Sequence, residues 1–252
     1  MTEAFHVLIP ARLGSTRLPD KPLVDLGGRS LVVRVLEKAR AAGARSVHVA
    51  TDSDQVASSV RAAGGEVIMT RSDHQSGTDR LVEAVGALGL GASEVVVNLQ
   101  GDEPLMPVSA IRRVVDVLTR DSQAHIATLW ETIEDESQWR DPNVVKLVLD
   151  GRDRALYFSR APIPWPRGRP FQHGGALRHV GLYAYRCSAL EAWPQLQPSR
   201  LESLESLEQL RALNAGWIIA CASAPEPIPP GIDTEDDLER VRISHFSSTE
   251  TP

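Results

Sequence analysis

Hydrophobic and polar positions along the first half of the chain follow two different periods. Four short apolar runs are typical of buried strands: residues 6 to 10, 47 to 51, 66 to 70 and 94 to 100. Three stretches between them carry apolar residues on one helical face and charged residues on the other: residues 30 to 42, 54 to 63 and 78 to 88. Strands separated so regularly by helices predict βαβ units and a mostly parallel sheet, with ligands at the carboxyl ends of its strands.

The pattern changes after about residue 125. Four more strand-like runs follow, with a proline-rich stretch at residues 161 to 170 between them: residues 125 to 131, 143 to 149, 155 to 158 and 179 to 186. We interpret residues 125 to 190 as a small inserted subdomain with a mixed sheet. Helical patterning returns at residues 198 to 215 and 234 to 246. We therefore expect a single domain over residues 1 to 246, followed by a polar tail at 247 to 252.

Composition and charge exclude several classes of protein. The chain has 252 residues, of which 42% are hydrophobic and 24% charged, as in globular rather than disordered or fibrous proteins. A formal net charge of -6 argues against a nonspecific nucleic-acid partner. No apolar run approaches the roughly 20 residues that span a bilayer, and no secretory signal is recognisable, so we expect a cytoplasmic protein without a membrane partner. Cys187 and Cys221 match no metal or redox spacing, and we expect both to pack in the core.

The densest chemistry lies in the loop after the first strand. Its backbone N–H groups, hydroxyls and cations can bind a polyphosphate: Arg12, Gly14, Ser15, Thr16, Arg17 and Lys21. The loop matches neither the Walker A pattern nor G-x-G-x-x-G. On charge alone a solvated basic loop explains the segment equally well, although Pro19 and Pro22 stiffen it more than a connector requires.

Two acidic residues and a second polar loop are further candidates. Asp102 follows Gln100 and Gly101 at the end of a strand, where it can hold Mg²⁺ or cap the next helix. Asp233 precedes an acidic helical turn, and on the sequence alone an N-cap role for Asp233 or its neighbour Thr234 is the stronger interpretation. Residues 71 to 80 place arginines and small polar residues before a helix, which suits nucleotide recognition.

Eight segments, in order along the chain, resemble the 3-deoxy-manno-octulosonate (Kdo) cytidylyltransferases, or CMP-Kdo synthetases, of the sugar nucleotidyltransferase superfamily. The first has the form P-A-R-x-x-S-T-R-x-P-x-K-P-L, and the segments are residues 9 to 23, 50 to 52, 69 to 80, 98 to 104, 155 to 165, 178 to 183, 207 to 211 and 231 to 234. The resemblance extends from about residue 6 to residue 243. It implies a Rossmann-like three-layer α/β/α fold whose inserted subdomain forms a homodimer.

The resemblance also implies an activity and its residues. CTP and Kdo react to CMP-Kdo and diphosphate for lipopolysaccharide biosynthesis, with Mg²⁺ held by Asp102 and Asp233. The implied catalytic residues are Arg12, Lys21, Asp102 and Asp233. The nucleotide-binding residues are Pro10, Ala11, Arg12, Ser15, Thr16, Lys21, Thr70, Arg71, Ser76, Gly77, Gln100, Gly101 and Asp102. The sugar-binding residues are Arg17, Gln100, Arg160, His179, Tyr183, Glu208, Gln209 and Asp233. His74 receives no catalytic role.

Several alternatives stay open from the sequence. A cytidylyl- or uridylyltransferase for another acid sugar would carry the same features, and a sensor without turnover would be expected to lack one of the phosphate-loop cations or acids. A dinucleotide-dependent dehydrogenase is disfavoured because G-x-G-x-x-G is absent. The sequence does not fix a general base, the number of metal ions or the role of residues 167 to 175.

Overall fold

The computed structural model describes residues 4 to 15, 17 to 74 and 76 to 246, so Thr16 and the predicted polar tail lie outside the described residues. The strands are β1 (Phe5–Ala11), β2 (Ser46–Thr51), β3 (Glu66–Met69), β4 (Val95–Asn98), β5 (Ile126–Thr132), β6 (Lys146–Leu149), β7 (Ala155–Ser159), β8 (Leu177–Arg186) and β9 (Ile219–Ser223). The α-helices are α1 (Leu31–Ala41), α2 (Asp54–Ala62), α3 (Gly77–Leu88), α4 (Val108–Arg120), α5 (Glu136–Arg140), α6 (Cys187–Ala192), α7 (Arg200–Glu205), α8 (Gln209–Asn214) and α9 (Glu235–Val241). Short 3₁₀ turns lie at Lys21–Leu23 and Trp193–Gln195, and a π-helical turn at Arg242–Phe246.

The central sheet has the strand order β3-β2-β1-β4-β8-β5-β9. Neighbouring strands run parallel except on both sides of β8, which is antiparallel to β4 and β5. The chain builds the sheet outwards in one direction from β1 to β3 and then returns to place β4 on the other side of β1. Such a reversal of strand order opens a crevice at the carboxyl ends of the two strands concerned, here β1 and β4.

Helices cover both faces of the sheet because successive side chains of its buried strands point to opposite sides. On β1, Val7 and Ile9 pack with residues of α1, α2 and α4, whereas Leu8 packs with residues of α3, α6 and α8. Cys187 and Cys221 are buried in the second of these layers, as predicted. The three-layer α/β/α fold with a mostly parallel sheet is thus confirmed.

The region predicted as an insertion is continuous with the central sheet. β5 and β8 are members of that sheet, and only β6 and β7 lie off its main path, where β6 pairs with β7 and with β8 in antiparallel fashion. The mixed pairing is therefore present, while the separate part of the region is a short extension over residues 146 to 159. Its role in dimerisation stays a prediction.

The structure corrects and extends the expected elements. The single helix expected at residues 198 to 215 is two helices, α7 and α8, because Ser206 adopts a left-handed conformation at φ 52° between them. The sequence analysis did not predict α4, α5, α6 or β9. Asp102 does not cap a helix, since α4 begins at Val108 after Pro107. Among the described residues, no helix is long and apolar enough to cross a membrane.

Candidate active site

An open cavity of about 450 Å³ lies at the carboxyl ends of β1 and β4 and in front of the first turn of α3. It collects eleven of the predicted nucleotide- and sugar-binding residues from three distant segments: Pro10, Ala11, Arg12, Ser15, Arg17, Lys21, Ser76, Gly77, Gln100, Gly101 and Asp102. Gly14, Pro22, His74 and Arg80 also line it. The reversal of strand order thus places a ligand-sized space where the basic loop, the acidic strand end and a helix N-terminus meet.

Gly101 allows the β1 and β4 loops to approach each other closely. The N–H of Leu99 donates to the carbonyl of Leu8 at 3.1 Å and extends the pairing of β1 with β4 by one residue. A Cβ at position 101 would lie only 2.8 Å from the carbonyl oxygen of Pro10. Any side chain would therefore push the two loops apart, and the wall of the cavity depends on glycine here.

Lys21 holds together the two acids that were predicted as metal ligands. Its ammonium donates to Asp102 Oδ2 at 2.6 Å and to Asp233 Oδ1 at 2.7 Å. Arg17 forms an ion pair with the other oxygen of Asp233 at 3.1 Å. The backbone also fixes this arrangement, because the N–H of Ile232 donates to the carbonyl of Asp102 at 2.9 Å. Residues more than a hundred positions apart in sequence thus form one charged cluster.

Lys21 and Arg17 together balance the two acids of this cluster. Burial lowers the pKa of Lys21, but the attraction and hydrogen bonds of Asp102 and Asp233 exceed that effect and leave the pKa raised, so the ammonium stays charged. The neighbouring Glu103, in contrast to Lys21, is held in its uncharged form. Burial, together with the nearby charge of Asp102, raises the pKa of Glu103 to about 8, so this carboxyl is mostly protonated at neutral pH.

Asp102 and Asp233 fit a hard divalent cation. Their carboxylate oxygens already share one cationic group, the Lys21 ammonium, within hydrogen-bond distance. Mg²⁺ is commonly bound by one or two carboxylates together with substrate phosphates, so two acids beside a phosphate-sized cavity satisfy its chemistry. Thr234, not Asp233, is the N-cap of α9 and forms a capping box with Asp237, so the Asp233 carboxylate faces the cations Lys21 and Arg17 and does not cap the helix.

The loop before α3 is organised by hydrogen bonds to the helix itself. Ser76 is the N-cap of α3 and accepts from the N–H of Asp79 at 3.1 Å. Gly77 follows it at the cavity wall, whereas Thr70 does not line the cavity and Arg71 lines a neighbouring one. His74 bonds to Glu83, which gives it a structural partner. The two predicted contacts at Thr70 and Arg71 thus lie beside the main cavity.

Arg80 was missed by sequence reasoning although it lines the cavity. Its guanidinium bonds to Thr70 Oγ1 and donates to Asp52 Oδ2 at 3.0 Å, and only 3% of the residue is exposed. It thereby connects the ends of β2 and β3 to the first turn of α3. A signal was present, because Arg80 lies one helical turn before the buried Ala84, on the apolar face of an amphipathic helix.

Predicted sugar-binding residues line up along β8 and against its neighbours. The rings of His179 and Tyr183 lie 5.3 Å apart, and Phe158 meets His179 edge to face at 4.9 Å. The hydroxyl of Thr128 lies 3.0 Å from His179 Nε2 at an irregularity in the pairing of β5 with β8. Burial, with a smaller effect of Arg178, lowers the pKa of His179 to about 3, so the ring is neutral at neutral pH.

Glu208 and Gln209 come close to the first cavity from α8. Thr78, on the first turn of α3, donates to Glu208 Oε2 at 2.9 Å, while the buried Glu208 Oε1 has no hydrogen-bond partner among the residues that the structure describes. Burial raises the pKa of Glu208 against the opposing effect of the Ser76 and Thr78 hydroxyls. Gln209 is buried beside it. The orphaned oxygen is a free acceptor for a ligand hydroxyl.

Arg160 lies at the far end of this group. Its guanidinium donates to the carbonyls of Glu205 at 2.6 Å and Pro142 at 2.9 Å, and its backbone N–H donates to Glu205 Oε2 at 2.9 Å. Arg160, His179, Tyr183, Glu208, Gln209 and Asp233 do not line the main cavity. They form a second group beside it, connected to it by the Thr78–Glu208 hydrogen bond and by the Lys21–Asp233 pair.

A family model described as cytidylyltransferase matches residues 6 to 222, which is most of the chain. The chain belongs to the cytidylyltransferase family. This cytidylyltransferase is similar over 96% of its length to a solved CMP:2-keto-3-deoxy-manno-octonic acid synthetase complexed with CTP, with 43% identity, a TM-score of 0.89 and 98% coverage of that chain. A cytidylyltransferase from Leptospira borgpetersenii serovar Hardjo-bovis (strain JB197) shares the fold at 18% identity, with a TM-score of 0.59 over 95% of this chain and 86% of that one.

Proposed function

We propose that this chain transfers the cytidylyl group of CTP to Kdo, giving CMP-Kdo and diphosphate. The observation that carries the proposal is the 43% identity, over 96% of the chain, to a CMP:2-keto-3-deoxy-manno-octonic acid synthetase complexed with CTP. The cavity that gathers Arg12, Ser15 and Lys21 in front of Asp102 supports it, because these groups suit a triphosphate. The product serves lipopolysaccharide biosynthesis in this proposal.

In the proposed reaction the anomeric hydroxyl of the sugar acid attacks the α-phosphate of CTP, and the bond from that phosphate to diphosphate breaks. No protein nucleophile is needed. Arg12 is exposed at the cavity wall and binds the triphosphate, and Lys21, which also lines the cavity, adds a second positive charge. The chain's contribution is therefore positioning and charge neutralisation, the main sources of rate in phosphoryl transfer.

Asp102 and Asp233 would hold Mg²⁺ in this proposal. When bound, the ion supplies Lewis-acid polarisation of the phosphate and lowers the pKa of a coordinated hydroxyl. The chain's own residues prepare this site. The Ile232 N–H to Asp102 carbonyl bond fixes the separation of the two acids, and Lys21 and Arg17 offset their charge.

Two sets of side chains suit the sugar acid, one cationic and one neutral. Arg160 carries a guanidinium that suits a carboxylate, as does Arg17 at the rim of the first cavity. His179 in its neutral form, Gln209 and the free oxygen of Glu208 offer donors and acceptors that suit a row of hydroxyls. A polyhydroxylated acid sugar matches both sets.

A coupled assay of diphosphate release tests the proposal. The purified protein with CTP, Mg²⁺ and Kdo is expected to release diphosphate, and UTP or a sialic acid in place of one substrate is expected to give a much lower kcat/KM. Absence of release above background with Kdo would refute the proposed substrate. Faster release with another acid sugar or with UTP would assign the chain to a neighbouring specificity within the family.

Substitution of the two acids tests their part in the reaction. Asp102→Asn and Asp233→Asn keep the size of the side chain but remove the negative charge that a divalent cation needs, and each is expected to lower kcat at least a hundredfold. Asp54→Asn, an exposed acid on the first turn of α2, is the matched control. Near-normal diphosphate release from both variants at ordinary Mg²⁺ concentrations would refute the metal assignment.

We further propose that the protein acts as a homodimer in the cytoplasm. The dimer is supported by large apolar side chains that are exposed around β7 and α7, among them Leu156 and Leu204. The cytoplasm is the place where CTP is made, which favours that location for an enzyme that consumes it.

A further inference from the structure

Lys146 is a fully buried lysine without a carboxylate partner. The residue opens β6 and is 0% exposed, and none of the described acidic groups forms an ion pair with it. Its ammonium donates instead to the carbonyls of Asp141 at 2.7 Å and Val144 at 2.5 Å. Burial lowers the pKa of Lys146, partly against the attraction of Asp141. An ammonium in such a place costs free energy that a methionine of the same length would not cost.

What the lysine adds is a pair of directed hydrogen bonds to one turn, residues 141 to 145. The turn leaves α5 and enters β6, and inside it the N–H of Val144 donates to the carbonyl of Asp141 at 3.2 Å. The Lys146 ammonium thus donates to two carbonyls of the turn, those of Asp141 and Val144. The ammonium thus adds two bonds to those by which the N–H groups of Asn143 and Val144 already hold the turn to Asp141, and it fixes the turn against β6.

Two further carbonyls of the same turn accept hydrogen bonds from Arg160 and His179, two residues of the predicted sugar site. The carbonyl of Pro142 accepts from Arg160 Nη1 at 2.9 Å, and that of Val145 accepts from the backbone N–H of His179 at 2.8 Å. Lys146 is also paired across the sheet with Ser159 and Arg178, the residues directly before Arg160 and His179. Displacement of the turn would thus move both residues, although they lie on different strands.

We propose that Lys146 is a positioning residue for the acid-sugar site, which it builds by fixing the turn at residues 141 to 145 to which Arg160 and His179 are bonded. Lys146 does not touch the substrate, because it is buried. Through the turn it orients the Arg160 guanidinium, which binds the sugar carboxylate, and it fixes the position of His179 on β8. The inference rests on the proposed function in naming the sugar acid as the ligand.

The test compares Lys146→Met with Lys38→Met. Lys38 lies on the partly exposed side of α1, and the same chemical change there is the matched control. Lys146→Met is expected to raise KM for Kdo at least tenfold, to leave KM for CTP within twofold and to melt within about 3 °C of the unsubstituted protein, since a buried charge is replaced by an apolar group. Lys38→Met is expected to change none of these.

A second measurement needs no substrate. Hydrogen exchange of the His179 amide, whose acceptor is the carbonyl of Val145, is expected to be at least threefold faster in Lys146→Met and unchanged in Lys38→Met. If Lys146→Met does not fold, Lys146→Gln, whose tip is too short to reach both carbonyls, is expected to give the same two results.

Each outcome decides one question. Equal increases of both KM values, or no increase for Kdo in an active enzyme, would overturn the role of Lys146, as would unchanged exchange at His179. Absence of diphosphate release from the unsubstituted protein with any acid sugar would instead refute the proposed function, and the exchange rates would then still confirm or refute the positioning of His179 by Lys146.

Discussion

At the scale of single residues, the charges that bind a triphosphate are hidden in an acidic chain. The net charge of -6 is a sum over the whole sequence, whereas the cavity brings Arg12, Arg17, Lys21 and Arg80 together in one place. Three of these cations are already partnered by acids, Lys21 by Asp102 and Asp233, Arg17 by Asp233 and Arg80 by Asp52. The position of the cations in the cavity, and not the net charge of the chain, explains why an anionic ligand fits here.

His179 is a residue whose titration is expected to appear in stability. Because burial holds its pKa at about 3, compared with about 6.5 in the unfolded chain, the folded protein binds fewer protons than the unfolded one between these values. Stability contributed by the neutral ring is complete above pH 6.5 and is lost as the pH falls towards 3. Between pH 7 and pH 5 the loss is about 2 kcal/mol, and His179→Gln, which cannot titrate, is expected to lack it.

Urea unfolding of both proteins at the two pH values measures this difference. His173→Gln is the matched control, because the side chain of His173 is 73% exposed. The same pH dependence in His179→Gln as in the unsubstituted protein would show that folding does not lower the pKa of His179, and the effect of burial on this ring would then be refuted.

At the scale of elements, the crossing of the β1 and β4 loops is the part of the fold most sensitive to a small change. Gly101→Ala places a methyl group 2.8 Å from the carbonyl oxygen of Pro10, and this backbone cannot rotate away as a flexible side chain would. We expect a loss of stability of about 1–3 kcal/mol and a fall in kcat/KM for CTP of at least tenfold, because the cavity wall moves.

Gly86→Ala controls for the added methyl group. Gly86 lies exposed within α3 and a Cβ there meets nothing within 4 Å, so the substitution is expected to stabilise the protein by about 0.5–1 kcal/mol without a change in KM for CTP. Thermal melts and diphosphate release measure both variants. If Gly101→Ala kept normal kcat/KM for CTP, the contact of the two loops would not be part of the nucleotide site.

The elements themselves differ in how far the sequence predicted them. Local periodicity predicted the alternating strands and helices up to β4. It could do so because each of these strands lies in the buried sheet and each helix packs one apolar face against that sheet. Ser206 broke a helical pattern without glycine or proline, since the left-handed turn there is held by tertiary contacts of Glu205 with Ser159 and Arg160. Arg80 and Lys146 were missed as site residues for the same reason. The partners of both residues lie on other elements. The amphipathic pattern of α3 indicates only that Arg80 lies on the buried face of the helix, and no local pattern indicates the role of Lys146.

At the scale of the whole molecule, the apolar surface is unevenly distributed. Leu156 on β7 and Leu204 on α7 are 60% and 70% exposed, and the two elements are joined by the hydrogen bond from Ser159 to Glu205. Trp165, which follows β7, is also largely exposed. Exposed large apolar residues that cluster on one side of a protein are typical of interfaces between subunits. This side contains the short extension formed by β6 and β7.

The dimer proposed for this surface predicts a specific effect of charge. Leu204→Glu would bury a carboxylate without a partner in the interface, so we expect the dimer dissociation constant to rise at least a hundredfold, as measured by analytical ultracentrifugation. Ile243→Glu is the matched control, because Ile243 is 64% exposed on the π-helical turn after α9. A monomeric unsubstituted protein would refute the dimer, and dissociation by Ile243→Glu but not by Leu204→Glu would move its interface to the other end of the chain.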